Sequence, residues 1–262
     1  MQALLGIFIA FIAVGGVMLL LERKWPATPA QPVWRRGMLL DLCYWLFTPI
    51  VTRAISRTGV IAAVVILGLL LGWKLDKDTL LAGHGPIGAQ PAWLQAIEMI
   101  VLLDLMAYWT HRLFHSGRFW PFHAIHHSSE DLDWLSSVRV HPINDLANRI
   151  PPAILLLVAG FKPAILAGAL PFFAIYAILL HANVDWDFGP LRRVIASPRF
   201  HRWHHTGEAE GRDKNFAGLL PVWDILFGTY YMPDRAPAKF GVADAVPTTL
   251  WGQLVWPFRR RY

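Results

Sequence analysis

The chain alternates long apolar runs with short polar, basic segments. Residues 2–21, QALLGIFIAFIAVGGVMLLL, carry no charge and are long enough to cross a bilayer as one helix. Glu22, Arg23 and Lys24 follow and no basic stretch precedes, the layout of an uncleaved anchor with its N-terminus outside. Residues 24–36 form a Pro-rich, basic connection. Residues 37–53 are apolar but interrupted by Asp41 and Pro49, with Arg35, Arg36, Arg53 and Arg57 at the flanks. That pattern predicts an interfacial or re-entrant helix. Residues 58–73 predict a second span, short but adequate if its ends snorkel. A polar Gly/Pro loop (74–91) precedes a third span at 92–110. The apolar run 151–180 is too long for one helix, and Gly160 and Pro163 divide it into a helical hairpin.

The expected fold class is therefore all-α: a multi-span integral membrane helical protein with about five spans plus an interfacial helix. This topology puts residues 111–142 and 181–262 on one side, expected to be cytoplasmic. Residues 1–262 read as a single membrane domain, with N-terminal spans over 1–99 and a basic C-terminal tail over 233–262. The end of that tail, WPFRRRY, reads as a lipid contact. No internal repeat or low-complexity run interrupts the pattern.

Composition sharpens the picture. The chain is 55% hydrophobic with a mean hydropathy of +0.39, which argues against an ordinary soluble domain. Thirteen Trp and six Tyr suit a protein with much interfacial surface. The net charge of +6 reads as basic loops beside anionic lipid, not as a nucleic-acid surface, because the Lys and Arg lie between apolar runs. Cys43 is the one cysteine, which excludes an intrachain disulfide and a cysteine-based zinc site.

The chemistry lies in the histidines. Ten of the eleven fall in the two segments that the topology places together, and only His84, in a flexible Gly-His-Gly turn, falls elsewhere. HRLFH gives His111 and His115, spaced i and i+4. HAIHH gives His123, His126 and His127, and HRWHH gives His201, His204 and His205, each spaced i, i+3 and i+4. On helices these rings share one face. A lone His on an apolar face is usually a satisfied core residue. Eight buried imidazoles without partners would cost several kcal/mol at about 1 kcal/mol each. Metal coordination satisfies them, since neutral imidazole is the commonest protein metal ligand. Eight rings exceed one coordination shell, so two ions are expected. Imidazole suits Zn, Cu, Fe and Ni and does not choose among them. The pattern is not that of a zinc finger, and it lacks the H-E-x-x-H of a zinc protease.

With these boxes in order, the sequence resembles the fatty acid hydroxylase / sterol desaturase superfamily of membrane enzymes. The resemblance rests on HRLFH (111–115), HAIHH (123–127) and HRWHH (201–205), and on flanking text such as DKNFAGLLPVWDILFGTYY (213–231). It covers roughly residues 100–232. It implies two Fe ions held by the eight box histidines, O2 as co-substrate and oxidation of a lipid C–H bond. Zinc is an alternative occupant in purified protein. It also implies a further ligand at His181, at the end of the last span. Some members carry a second His one turn later. Here that position is Asp185, so Asp185, Asn183 or water would complete the site. His141 precedes Pro142 and reads as a helix-start residue or a further ligand. Asp104 lies seven residues before His111 on the same helical face and is the leading carboxylate to orient a ligand ring through its free N–H. Its alternative is an ordinary pairing with a nearby Arg or Tyr. Glu98 falls on another face. Tyr108, Trp109, Trp120, Phe122, Trp134 and Trp203 interleave with the boxes, as lining of a lipid channel or as packing.

The expected function is hydroxylation or desaturation of a lipid in a bacterial inner membrane. A separate electron-donor protein is expected, because the chain has no Gly-rich dinucleotide fingerprint and no flavin or haem segment. Two rival classes use the same residues. A metal transporter predicts ligands and broken helices within the spans. A membrane hydrolase predicts zinc-activated water.

Overall fold

A computed structural model of the chain describes residues 2–72 and 81–259. Trp73 at the end of the expected second span, residues 74–80 of the expected outer loop, and residues 260–262 of the expected lipid-contacting tail lie outside the described residues. Among the described residues the ordered elements are helical. There is no strand, only the isolated bridges Pro26–Val184 and Thr206–Phe240.

Five long helices run between two ends of the molecule. The first, α1 (Gln2–Lys24), is uncharged until Glu22. The second begins as α2 (Met38–Phe47), passes through a π-helical turn at Thr48–Thr52 and continues as α3 (Arg53–Leu71). The expected interfacial helix at 37–53 is thus not a separate element. Pro49 sits inside the π turn, which absorbs its missing N–H without breaking the helix. The combined helix is about 50 Å long at 1.5 Å per residue. The hydrocarbon core is about 30 Å, so one end of this helix extends beyond it. A short α4 (Gly85–Ala89) leads into α5 (Ala92–Phe114). The hairpin forms where expected, as α7 (Pro142–Ala159) and α8 (Pro163–His181).

Four of these helices, among the described residues, are long and apolar enough to cross a membrane: Leu4–Lys24, Met38–Leu70, Ala92–Phe114 and Pro163–His181. The difference from about five spans lies in α7. Its first turns carry Asn144, Asp145, Asn148 and Arg149, so only its second half is apolar.

The remaining helices are short and gather at one end: α6 (Trp120–His127), α9 (Pro198–His204), α10 (Val222–Leu226) and α11 (Leu250–Arg259). The opposite end is closed by the hairpin tip. Gly160 has φ +104°, and a Cβ there would lie 2.1 Å from the His84 carbonyl oxygen. The His84 N–H donates to the Gly160 carbonyl at 3.1 Å, so this outlying histidine serves the turn.

At the His-bearing end, Glu22 closes α1 onto two other segments. Its carboxylate accepts from the backbone N–H of Trp134 (2.9 Å) and of Asn183 (2.8 Å). The segments flanking α5 and α8 therefore meet at one end, as the topology predicts. A buried network stiffens the same end. Arg35 bonds Asp41 (2.7 Å) and Asp133, and Arg139 bonds the other oxygen of Asp41 (2.6 Å). Two cations and two anions, all buried, balance one another.

Candidate metal centre

Each box sits where its helix can aim it inward. His111 lies in the last turn of α5 and His115 caps it. Most of α6 is box: His123, His126 and His127 are all buried. α9 starts from Ser197, whose hydroxyl accepts from the Phe200 N–H (3.2 Å), with Pro198 at the first helical position. His181 is the last residue of α8.

The nine rings converge as two adjoining groups. His111, His115, His123, His127 and His204 form one, and His126, His181, His201 and His205 form the other. Within each group one nitrogen from every ring lies within 4.8 Å of the others. Helical geometry explains the sorting. Residues i and i+4 stay on one face, whereas i+3 turns toward the neighbouring group. So α6 gives His123 and His127 to the first group and His126 to the second. α9 does the reverse, giving His201 and His205 to the second and His204 to the first. The two groups touch along His127 and His205, whose rings stack at 4.3 Å.

Hydrogen bonds fix which nitrogen carries the proton. Carbonyl oxygens only accept, so an Nδ1 facing one must donate. His111 Nδ1 donates to the Phe216 carbonyl (2.8 Å), His126 Nδ1 to Arg139 (3.2 Å), His181 Nδ1 to Ala177 (2.7 Å) and His204 Nδ1 to Lys214 (2.8 Å). His115 Nδ1 meets the Asp213 carboxylate at 3.0 Å, and His123 Nδ1 meets the Asn144 side-chain oxygen at 2.7 Å. The Nε2 atoms of these six rings are therefore bare lone pairs, and four of them face one another in two pairs. His126 and His181 approach Nε2 to Nε2 at 3.0 Å, and His111 and His123 at 2.9 Å. His115 Nε2 and His204 Nε2 are buried with no partner. Lone pairs at this separation repel unless a cation lies between them. Two ligands bonded to one ion at about 2.1 Å stand about 3.0–3.4 Å apart, so the spacing fits shared ligation.

Burial, reinforced by neighbouring imidazoles, holds His123, His126, His127, His201, His204 and His205 well below the usual imidazole range. They are neutral at neutral pH, the form that binds metal.

The other expected site residues stand elsewhere. Asp185 pairs with Arg199 at 2.8 Å on the half-exposed rim and does not reach the second group. Asn183 is buried but spent on Thr28, accepting from its N–H (2.9 Å) and donating to its carbonyl (3.1 Å). The second group thus has four histidines against five, with no side chain in the place left for Asp185 or Asn183. His141 caps α7. Its Nδ1 accepts from the Ile143 N–H (3.1 Å), so its Nε2 donates to the Leu254 carbonyl (3.1 Å) and neither nitrogen is left for a ligand bond. Asp104 contacts no histidine. It accepts from the Leu220 N–H (2.8 Å) and the Trp223 indole (3.0 Å), anchoring the segment whose Phe216 carbonyl takes His111. Its role is one step further out than a direct ring contact.

Sequence reasoning missed Asn144, Asp213 and Asp224. Asp224 accepts from the N–H groups of Phe216 (2.8 Å) and Ala217 (2.9 Å) and so presents the Phe216 carbonyl to His111. A lone carboxylate inside the apolar text VWDILF was the available signal.

The helices and the paired imidazole groups define a class: a multi-span helical membrane protein with a histidine-rich site of metal-ligand geometry at one end of its spans. Within that class the chain belongs to the fatty acid hydroxylase family, whose profile (Fatty acid hydroxylase) matches residues 96–229. Ornithine lipid hydroxylase OlsE of Rhizobium tropici is 33% identical over 181 residues, 65% of this chain and 52% of that protein. Alkylglycerol monooxygenase of Homo sapiens is 34% identical over 129 residues, 49% of this chain and 28% of its own. A probable Delta(7)-sterol 5(6)-desaturase of Neurospora crassa is 27% identical over 185 residues, 70% of this chain and 50% of that protein. The chain therefore spans about half, or less, of the length of these relatives. No solved structure matches.

Proposed function

We propose that this protein is a lipid hydroxylase that uses O2 at a pair of iron ions. His111, His115, His123, His127 and His204 hold one ion; His126, His181, His201 and His205 hold the other. The observation that carries this reading is the pair of bare Nε2 atoms of His126 and His181 at 3.0 Å, each with its Nδ1 proton committed to a carbonyl. The bound metals supply the redox chemistry that no side chain can. The chain itself orients the ligands through Phe216, Arg139, Ala177, Lys214, Asp213 and Asn144 and keeps the imidazoles neutral. One oxygen atom would enter the C–H bond and the other would leave as water, with two electrons from a separate donor protein and two protons from solvent.

Hydroxylation is favoured because the more identical relatives are a lipid hydroxylase and a monooxygenase. Desaturation on the same centre is the second reading, favoured by the share of this chain that aligns with the sterol desaturase. The transporter reading is disfavoured because the ligands sit at helix ends, not mid-span. Arg23 and Lys24 in the last turn of α1, with Arg35 and Arg36 beyond it, support a cytoplasmic His-bearing face; the membrane is proposed to be a bacterial inner membrane.

The test is lipid mass spectrometry of cells expressing the protein beside a His126→Ala, His204→Ala double variant, with and without air. A lipid that gains one oxygen only in air and only with intact boxes is the expected result. Loss of two hydrogens on the same terms would replace hydroxylation by desaturation. An unchanged lipid profile with an active reductase supplied would sink the oxidase reading.

A further inference from the structure

The segment after the third box reaches further along α5 than a cap resting on the membrane surface would. Asp104 accepts from the Leu220 N–H and the Trp223 indole. The Tyr108 hydroxyl bonds the Thr229 hydroxyl at 2.9 Å, and the Phe227 ring lies 4.8 Å from that of Trp109. The chain thus runs down α5 from His111 to Asp104 and returns to the level of Trp109.

The depth of that excursion can be read from α5. Its two exposed tryptophans, Trp93 and Trp109, stand 16 residues apart (109 − 93). That is about 24 Å along the helix, near the spacing of aromatic belts at the two faces of a hydrocarbon core. Asp104 lies five residues inside Trp109, about 8 Å into that core. The outward side chains of the segment are apolar: Val222, Ile225, Leu226 and Phe227 are exposed, Leu226 at 64%. They continue the exposed apolar face that α5 presents through Leu102 and Trp109.

The inward side solves the problem that hydrocarbon poses to irregular backbone, which finds no water there. Asp104 takes the Leu220 N–H. Asp224 takes those of Phe216 and Ala217, and the Leu219 carbonyl takes the Ala196 N–H at 2.8 Å. A carboxylate inside a span and another in a short apolar helix both gain a reason.

We propose that Leu219–Phe227 is a re-entrant segment seated among the lipid acyl chains of the His-bearing leaflet. The wall of the five-histidine group is then itself a lipid contact. Phe216, whose ring lies 5.0 Å from that of His115 and 5.7 Å from that of His204, stands between that lipid and the imidazoles. The placement rests on α5 as a span and not on the metal or on the proposed reaction.

Nitroxide accessibility tests it. Cys43 is the one cysteine, so Cys43→Ser gives a clean background for labels at Leu226→Cys and Val222→Cys. Leu102→Cys on α5 and Glu210→Cys on the exposed cap serve as references. The full chain is reconstituted into phosphatidylcholine/phosphatidylglycerol vesicles, and collisions are measured with O2, which partitions into lipid, and with water-soluble chromium oxalate. Labels at 226 and 222 are expected to follow the Leu102 label, with strong O2 collision and loss of chromium collision. Labels that follow Glu210 would overturn the proposal, as would labels shielded from both reagents, which would mean that a second copy covers the face. A water-accessible Leu102 label would remove the span on which the proposal stands. Neither metal nor turnover enters the measurement, so its failure is distinct from failure of the hydroxylase reading.

Discussion

Asp213 holds His115 in the tautomer that frees its Nε2, and it does so from a left-handed backbone position, φ +56°. The hydrogen bond to His115 also lowers the Asp213 carboxyl from its ordinary value, so it stays charged as an acceptor. Groups that orient metal ligands in this way typically matter 10- to 100-fold in metal affinity or activity. Asp213→Ala is therefore expected to lower metal retention by about that range, read by metal analysis after dialysis against a competing chelator. Asp213→Asn keeps an acceptor and tolerates the backbone angle, so it should lose much less. Equal loss in both variants would refute the orienting role. A second variant separates the two groups. On the proposed two-ion reading, the four-histidine group has no fifth ring in reserve, so His126→Ala should lower the bound metal by one ion per chain. Metal analysis beside circular dichroism checks this, and an unchanged metal content would count against the assignment of His126.

At the scale of elements, the buried Arg35–Asp41–Asp133–Arg139 network ties α2 to the turn that follows α6. It also places the Arg139 carbonyl on His126. Removing one partner of such a network leaves an unpaired buried charge, typically worth about 3–5 kcal/mol. Asp41→Ala is expected to destabilise the protein by that order and to weaken metal binding in the four-histidine group first. Denaturant unfolding in detergent micelles reads the first effect and metal analysis the second. A loss under about 1 kcal/mol would show that water reaches the site and screens the pair.

Much of this element-level order was legible in the sequence. The apolar runs announced α1, α5 and the hairpin, and the i, i+3, i+4 spacing announced the convergent rings. The continuity of α2 with α3 was not legible, because Pro49 and the flanking arginines mark a break in any local pattern and only the π turn removes it. The five-to-four division of the rings depends on how α6 and α9 are rotated against each other, which no local spacing encodes. Asp185 looked available because its partner, Arg199, comes fourteen residues later in the chain (199 − 185).

For the whole molecule, the proposed metal binding makes the histidine groups a cross-link. α5, α6, α8 and α9 each contribute rings, and between bare Nε2 atoms only a cation makes the contact attractive. α1 and α3 contribute no ring and do not share this dependence, since they bury or present apolar surface whether or not metal is bound. Metal bound only by the folded state stabilises it by about 2.7 kcal/mol at a hundredfold excess over its dissociation constant, for each site. Stripping the metal with a chelator is thus expected to lower the thermal unfolding temperature and to act unevenly along the chain. Hydrogen exchange should quicken over residues 120–139 and 198–216, where α6, α9 and the Arg139, Lys214 and Phe216 carbonyls that hold rings lie, while α1 and α3 keep their protection. If chelation released metal and left exchange in those two segments unchanged, hydrogen bonding and packing alone would hold the histidine-bearing end, and the ions would be passengers in a preformed site.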